Sequence, residues 1–247
     1  YDMPYMNHSD KVLNAQKGVT KVQMEYMGYF KKNFDYKPLV SRLFTDVSYV
    51  ENNFDVYEFV SRLFKLASNI QSTESRHDMT LYNVFTKDEL YRLWQVANAS
   101  WYMSYGAAPQ NGGTQPFSQR YLLKNIIEKA DSAIALPKPG ATLRFGHETM
   151  VLPLTCLLGL NGYDRQISDV EQLEQQGWVN YRIFPMAANI QFIFYRKNDK
   201  DKDVLVKVLL NEDEATLPIA SDMAPLYHWK DVREYYLKKI ADYEKIH

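Results

Sequence analysis

A chain of 247 residues, 46% hydrophobic, is long enough for one large domain or two smaller ones. Its net charge of -1 excludes a global basic field that would draw it to nucleic acid or an anionic membrane. One cysteine, Cys156, excludes an internal disulfide and any multi-Cys metal site, and no apolar run approaches the ~20 residues that span a bilayer.

From about residue 10 to 136 the chain reads as helical. After Phe54, Asp55 and Glu58 stand in capping-box positions, and Tyr57, Val60, Phe64 and Ala67 follow at helical spacing. Thr86 is placed as an N-cap with Glu89 three residues on, and Phe85 and Leu90 sit where a hydrophobic staple puts them. Leu90, Leu93, Trp94, Ala97 and Trp101 form an apolar stripe that stops near Gly106, before Pro109. Residues 106–116 are a loop by composition. A helix then runs to about Ile134 with Tyr121, Leu122, Ile126 and Ala130 on one side, and Pro137-Lys138-Pro139-Gly140 ends it.

The character changes at that point. Ala141 to Phe145 is a short strand candidate between Gly140 and Gly146. The apolar run Met150–Leu158 ends at Gly159, and Pro153 suits the first turn of a helix but not its interior. Asn189–Arg196 and Val204–Leu210 read as two strands joined through the polar stretch 198–203. The last 19 residues form an amphipathic helix with Trp229, Val232, Tyr236, Ile240 and Tyr243 aligned. The 19 tyrosines and 4 tryptophans read first as core and packing residues, and otherwise as an aromatic ligand platform. Cys156, in its apolar surroundings, reads as a buried thiol rather than a nucleophile.

The stretch Arg144-Phe145-Gly146-His147-Glu148-Thr149 carries the clearest chemistry. Ligands of open α/β sheets bind beyond the carboxyl ends of strands, and the first turn of a following helix offers free N–H groups to a phosphate. His147 would add donors to phosphate oxygens, and the acid Glu148 beside it could protonate a leaving-group oxygen. Arg144 is read as a structural ion pair before a phosphate contact. Arg120, Lys124 and Lys138 are solvated surface by default and a polyphosphate funnel otherwise. His8, His77, His228 and His247 have no evident partners in sequence, so no metal constellation is visible, and no Walker loop, dinucleotide fingerprint or Gly-x-Ser-x-Gly elbow occurs.

The run Arg144 to Leu154 resembles the second signature of clade-2 histidine phosphatases, and more narrowly that of the multiple inositol polyphosphate phosphatases, which are phytase-like. Phe85-Thr86-Lys87-Asp88-Glu89-Leu90 with Trp94, Asn98 and Tyr102 is similar to their helical domain. Phe184 to Gln191 with Phe194-Tyr195-Arg196, then Val208 to Glu212 and Leu217-Pro218, and Tyr227-His228-Trp229 with Tyr235, are similar to their later segments. The resemblance implies an α/β fold: part of a phosphoglycerate-mutase-like sheet domain over 138–247, and a mainly helical insertion domain over 1–137. It implies phosphomonoester hydrolysis through a phosphohistidine, with no cofactor and no metal. His147 takes the place of the second phosphate-pocket histidine, Glu148 that of the proton donor, and Thr149 and Arg144 those of substrate-binding neighbours. It also implies a phosphorylated small-molecule substrate, no nucleic acid, no membrane span, and a periplasmic, extracellular or lumenal home.

Two departures stand against the family pattern. Glu148 follows His147 directly, in the register where the wider acid phosphatases carry Asp, whereas the inositol phosphatases usually place an Ala between. Arg-His-Gly, the family's nucleophile motif, occurs nowhere in the 247 residues. The chain is therefore expected to be a C-terminal part whose missing N-terminal part is its natural partner, and to be inactive alone. Two other readings are carried forward: a general acid phosphatase acting on sugar phosphates or nucleotides, and a non-catalytic, aromatic-rich glycan-binding protein. The last predicts exposed Trp and Tyr side chains in a shallow groove and no sheet over residues 141–210.

Overall fold

Local signals start the helices where they stand in the sequence. The computed structural model describes residues 20–198 and 201–246. The helical expectation for residues 10–19, and His8 and His247, lie outside these. The chain divides by packing into one unit over Thr20–Ser100 and a second that includes Trp101 onward.

The first unit is all helical. Helices α1 (Thr20–Asn33), α2 (Lys37–Leu43), α3 (Val47–Asn53) and α4 (Val56–Asn69) lead into α5 (Lys87–Tyr105). Asp55 caps α4 by accepting from the Glu58 amide at 3.0 Å. Thr86 and Glu89 form the expected reciprocal box: Thr86 Oγ1 accepts from the Glu89 amide at 3.2 Å, and Glu89 Oε2 from the Thr86 amide at 2.7 Å. The Arg42 guanidinium also bonds that carboxylate and the Val84 carbonyl, so Glu89 joins α2 to the start of α5. Phe30 meets Tyr57 edge-on at 5.0 Å, and Phe34, Leu39, Val40 and Val60 are buried in the same unit.

In the second unit, helix α6 (Arg120–Ile134), α7 (Glu148–Leu158), the short α8 (Asn180–Ile183) and α9 (Trp229–Ile246) accompany four strands, β1 (Ile190–Tyr195), β2 (Leu205–Leu210), β3 (Asp213–Glu214) and β4 (Tyr227–His228). The sheet is antiparallel: β1 pairs with β2 from Ile190↔Leu210 to Tyr195↔Leu205, and β3 and β4 both pair with β2. Alternation along β2 buries Val206, Val208 and Leu210 in a core completed by α6, α7 and α9. Asn211 and Glu212 turn the chain out of β2 at φ of 52° and 71°. Asn211 pays for that conformation with side-chain bonds to the Arg182 and Ile183 carbonyls. Helix α9 buries Trp229, Val232, Tyr236, Ile240 and Tyr243, the five residues aligned in sequence. The fold is thus of the mixed α/β class expected.

Three local expectations are corrected. Residues 141–147 belong to no helix and, among the described residues, pair with no strand. Leu143 and Phe145 stand 76% and 88% exposed there. Tyr121 turns outward and Leu123 and Ile127 inward on α6, because the Arg120 guanidinium holds the Tyr121 ring at 4.3 Å and its hydroxyl at 3.2 Å. Pro153 lies well inside α7. The carbonyl it leaves without its helical donor belongs to Thr149, in the first turn, next to the exposed Glu148.

Cys156 is buried, and burial foremost, then the Asp164 charge, pushes its thiol up to about 12. A raised value leaves it protonated at neutral pH. At pH 8 an aromatic disulfide reagent is expected to label it only as fast as the second unit opens, with full labelling in denaturant. Rapid labelling of the native chain would contradict this burial.

Candidate active site

The site is built at the start of α7. His147 is the N-cap, in extended conformation (φ -120°, ψ 164°), and Glu148 is the first helical residue. The His147 carbonyl accepts from the amides of Met150 and Val151 at 2.9 and 3.1 Å. No acceptor for the amides of Glu148 and Thr149 occurs among the described residues. His147 caps none of them with its ring, so the imidazole and two N–H groups stay available to an anion at the positive end of the helix. His147 and Glu148 are exposed and Thr149 is half-buried.

The far end of α7 is fixed more firmly. Gly159 closes it in the left-handed region at φ 66°, where a Cβ would meet Asp164 Oδ2 at 2.9 Å. From α9, the Tyr236 hydroxyl donates to the Leu158 carbonyl at 2.6 Å and Lys239 Nζ to that of Leu157 at 2.8 Å. These donors satisfy carbonyls that the helix leaves open. The interior of α7, from Leu152 to Leu158, is buried. The site therefore stands on a helix anchored at its base.

Among the described residues Arg144 makes no ion pair; its guanidinium donates to Asn125 Oδ1 on α6 at 2.8 Å, which ties the segment before α7 to that helix. Two of the three cations considered for a funnel are engaged with α9: Lys124 pairs with Glu244 at 2.8 Å, and the buried Arg120 lies 3.5 Å from the same carboxylate, while Lys138 is exposed. Two neighbours carried no signal in sequence. Asn125 is one. The other is Tyr105, whose hydroxyl is held above its usual range by burial first and then by the charge of Glu148. Nothing short of the tertiary structure brings either one to the segment that carries His147. Among the described residues no cluster of His, Cys, Asp and Glu could hold a metal ion.

The glycan platform finds little support. Trp178 and Trp229 are buried, with Trp178 edge-on to Tyr102 at 5.0 Å, and β1 and β2 pair as antiparallel strands within the range expected to lack a sheet. No helix among the described residues is long and apolar enough to cross a membrane.

Comparison with known proteins gives a consistent picture. The family model described as histidine phosphatase superfamily (branch 2) matches residues 5–211. Among solved structures, the chain is similar to the multiple inositol polyphosphate phosphatase of Bifidobacterium longum in complex with inositol hexasulfate. The TM-score is 0.64 and the identity 16%, over 92% of this chain and 55% of that one. The apo form of that enzyme gives a TM-score of 0.63 at 16% identity, over 91% and 54%. The chain thus spans about half the length of these structures, and at this identity the likeness is one of fold. No curated protein sequence matches it.

Proposed function

The chain belongs to the histidine phosphatase superfamily, branch 2, and from that premise we propose that it is the proton-donating half of a phosphomonoesterase working through a phosphohistidine. The observation that carries the reading is the start of α7, where His147, two free amides and Glu148 meet on one exposed turn. In this reading the nucleophilic histidine comes from polypeptide outside these 247 residues, since no Arg-His-Gly occurs within them. That histidine attacks phosphorus, and the P–O bond to the leaving group breaks. Glu148 gives its proton to the departing oxygen, then takes one from the water that releases phosphate from the histidine. His147 and the amides of Glu148 and Thr149 stabilise the charge on the phosphoryl oxygens in transit. Arg144 positions the segment from its bond to Asn125.

The substrate class proposed is an inositol polyphosphate, the class named for the Bifidobacterium enzyme. A general acid phosphatase differs in needing a less cationic pocket. The division at 137/138 is part of the same proposal, a division by family anatomy rather than by packing. So is a periplasmic, extracellular or lumenal home.

The sheet supports the idea of a completing partner. Among the described residues, β1 has a ladder partner on one side alone. Its Ile190, Phe192 and Phe194 stay partly exposed, where the matching face of β2 is fully buried. An apolar open edge of this kind is one that proteins pair or cover. Phosphate release from an aryl phosphate tests the reading. The chain alone is expected to give no turnover, and turnover is expected once a polypeptide bearing the Arg-His-Gly-x-Arg motif completes the sheet. Robust, Glu148-dependent turnover by the chain alone would overturn it.

A further inference from the structure

His228 sits on β4, opposite Leu205 of β2, at the point where the chain enters α9. Its two ring nitrogens face two different carboxylates. Nδ1 is 2.8 Å from Asp203 Oδ1, in the β1–β2 connection, and Nε2 is 3.3 Å from Asp222 Oδ1, in the connection that leads to β4. A neutral imidazole has one N–H and one lone pair. It can donate to one of these carboxylates, and its lone pair would then face the oxygen of the other. Only the cation, with two N–H donors, satisfies both.

The backbone beside each carboxylate is turned by its own local hydrogen bonds. Asp203 closes a turn in which its amide donates to Asp201 Oδ1 at 3.0 Å and the Asp201 amide donates to Asn198 Oδ1 at 3.1 Å. Beside Asp222, Ser221 Oγ donates to the Leu226 carbonyl at 2.5 Å and accepts from the Met223 amide at 3.0 Å. From β2 the residue across the ladder, Leu205, carries no charge, and the next cation on that strand, Lys207, is held by Glu214 at 2.9 Å. From α9, Trp229 points its ring N–H to Asp131. Among the described residues the charged groups that act on the ring are therefore Asp203 and Asp222.

We propose that His228, Asp203 and Asp222 form a pH-operated clasp that fastens residues 201–204, ahead of β2, and the connection before β4 to the start of α9 while the imidazole is cationic, and releases them as it loses its second proton. The clasp lies beside the Trp229 amide, which donates to the Val204 carbonyl at 2.8 Å and so reports on the same junction. The bond from Asp203, chiefly, holds the His228 value above the 6.5 of an ordinary histidine, with Asp222 adding to it. A folded value above the unfolded one means that the clasp contributes fully below the ordinary value. That contribution is lost as pH rises through the folded value.

The whole chain suffices for the test. The His228 ring is titrated by NMR in the wild type, in D203N and in D222N, and the exchange protection of the Trp229 amide, corrected for its intrinsic pH dependence, is followed over the same range. The expected result is a midpoint above 6.5 that falls in both variants, further in D203N, and a loss of Trp229 protection as the wild type passes its midpoint. In H228Q that pH-dependent step is absent. A wild-type midpoint at or below 6.5, a midpoint that neither variant moves, or protection that is constant across the titration would each overturn the clasp.

Discussion

In the proposed phosphatase, once its nucleophile is supplied, Glu148→Gln is expected to lower turnover of an alkyl phosphate by about 10²–10⁴-fold, the range that positioned proton transfer contributes. Gln is nearly isosteric with Glu and fits the first turn of α7, so in the proposed mechanism His147 and the two free amides remain placed for a phosphoryl group. The expected loss is the proton for the leaving oxygen. An alkoxide leaves poorly without it, whereas an aryl oxide leaves readily. The penalty is therefore expected to be several-fold smaller for an aryl phosphate in the step that forms the phosphohistidine, measured as the burst before steady state. His147→Ala behaves differently, because it removes a donor that acts on both substrates alike. Equal losses for alkyl and aryl substrates in Glu148→Gln would assign Glu148 to structure or binding rather than to proton transfer. The Asp variant separates register from chemistry: it keeps the acid, draws it back by one methylene, and is expected to recover part of the rate.

What was legible in the sequence is what short-range physics decides. The Thr86–Glu89 box, the Asp55 cap, the β1–β2 hairpin and the five-residue face of α9 all depend on residues a few positions apart, and each is found where its pattern puts it. The segment 141–145 has a strand's composition, but a strand exists only through its ladder partner, and none of the described residues supplies one. The face of α6 is shifted because Tyr121 counts as apolar in a pattern while its hydroxyl and ring are taken by Arg120. The family likeness singles out His147 and Glu148 as candidates. It gave no hint of Asn125 or Tyr105, which reach the site only through tertiary packing.

Trp229→Ala is expected to destabilise the second unit by about 3–5 kcal/mol, the cost usual for emptying a large buried aromatic site. Trp229 is 6% exposed and stands edge-on to Phe194 at 5.0 Å. It is also where α9, α6 and the sheet are joined by polar bonds. Its ring N–H donates to Asp131 on α6 at 2.8 Å, and the same carboxylate accepts from Arg233 of α9 at 2.7 Å. Truncation therefore leaves a cavity against Phe194 and removes one of two donors to a half-buried carboxylate. Trp229→Phe isolates the second loss: it keeps most of the apolar contact and forfeits the N–H, at roughly 1 kcal/mol. Denaturant unfolding followed by far-UV circular dichroism measures both, through a lower midpoint at unchanged slope. A cost below about 1 kcal/mol for the alanine variant would show that α9 is held chiefly by Val232, Tyr236 and Ile240. Because Tyr236 and Lys239 on the same helix anchor the base of α7, loosening α9 at Trp229 should also raise amide exchange at Leu157 and Leu158. The stability of the terminal helix and the placement of His147 are then one mechanical property, read from opposite ends of α7.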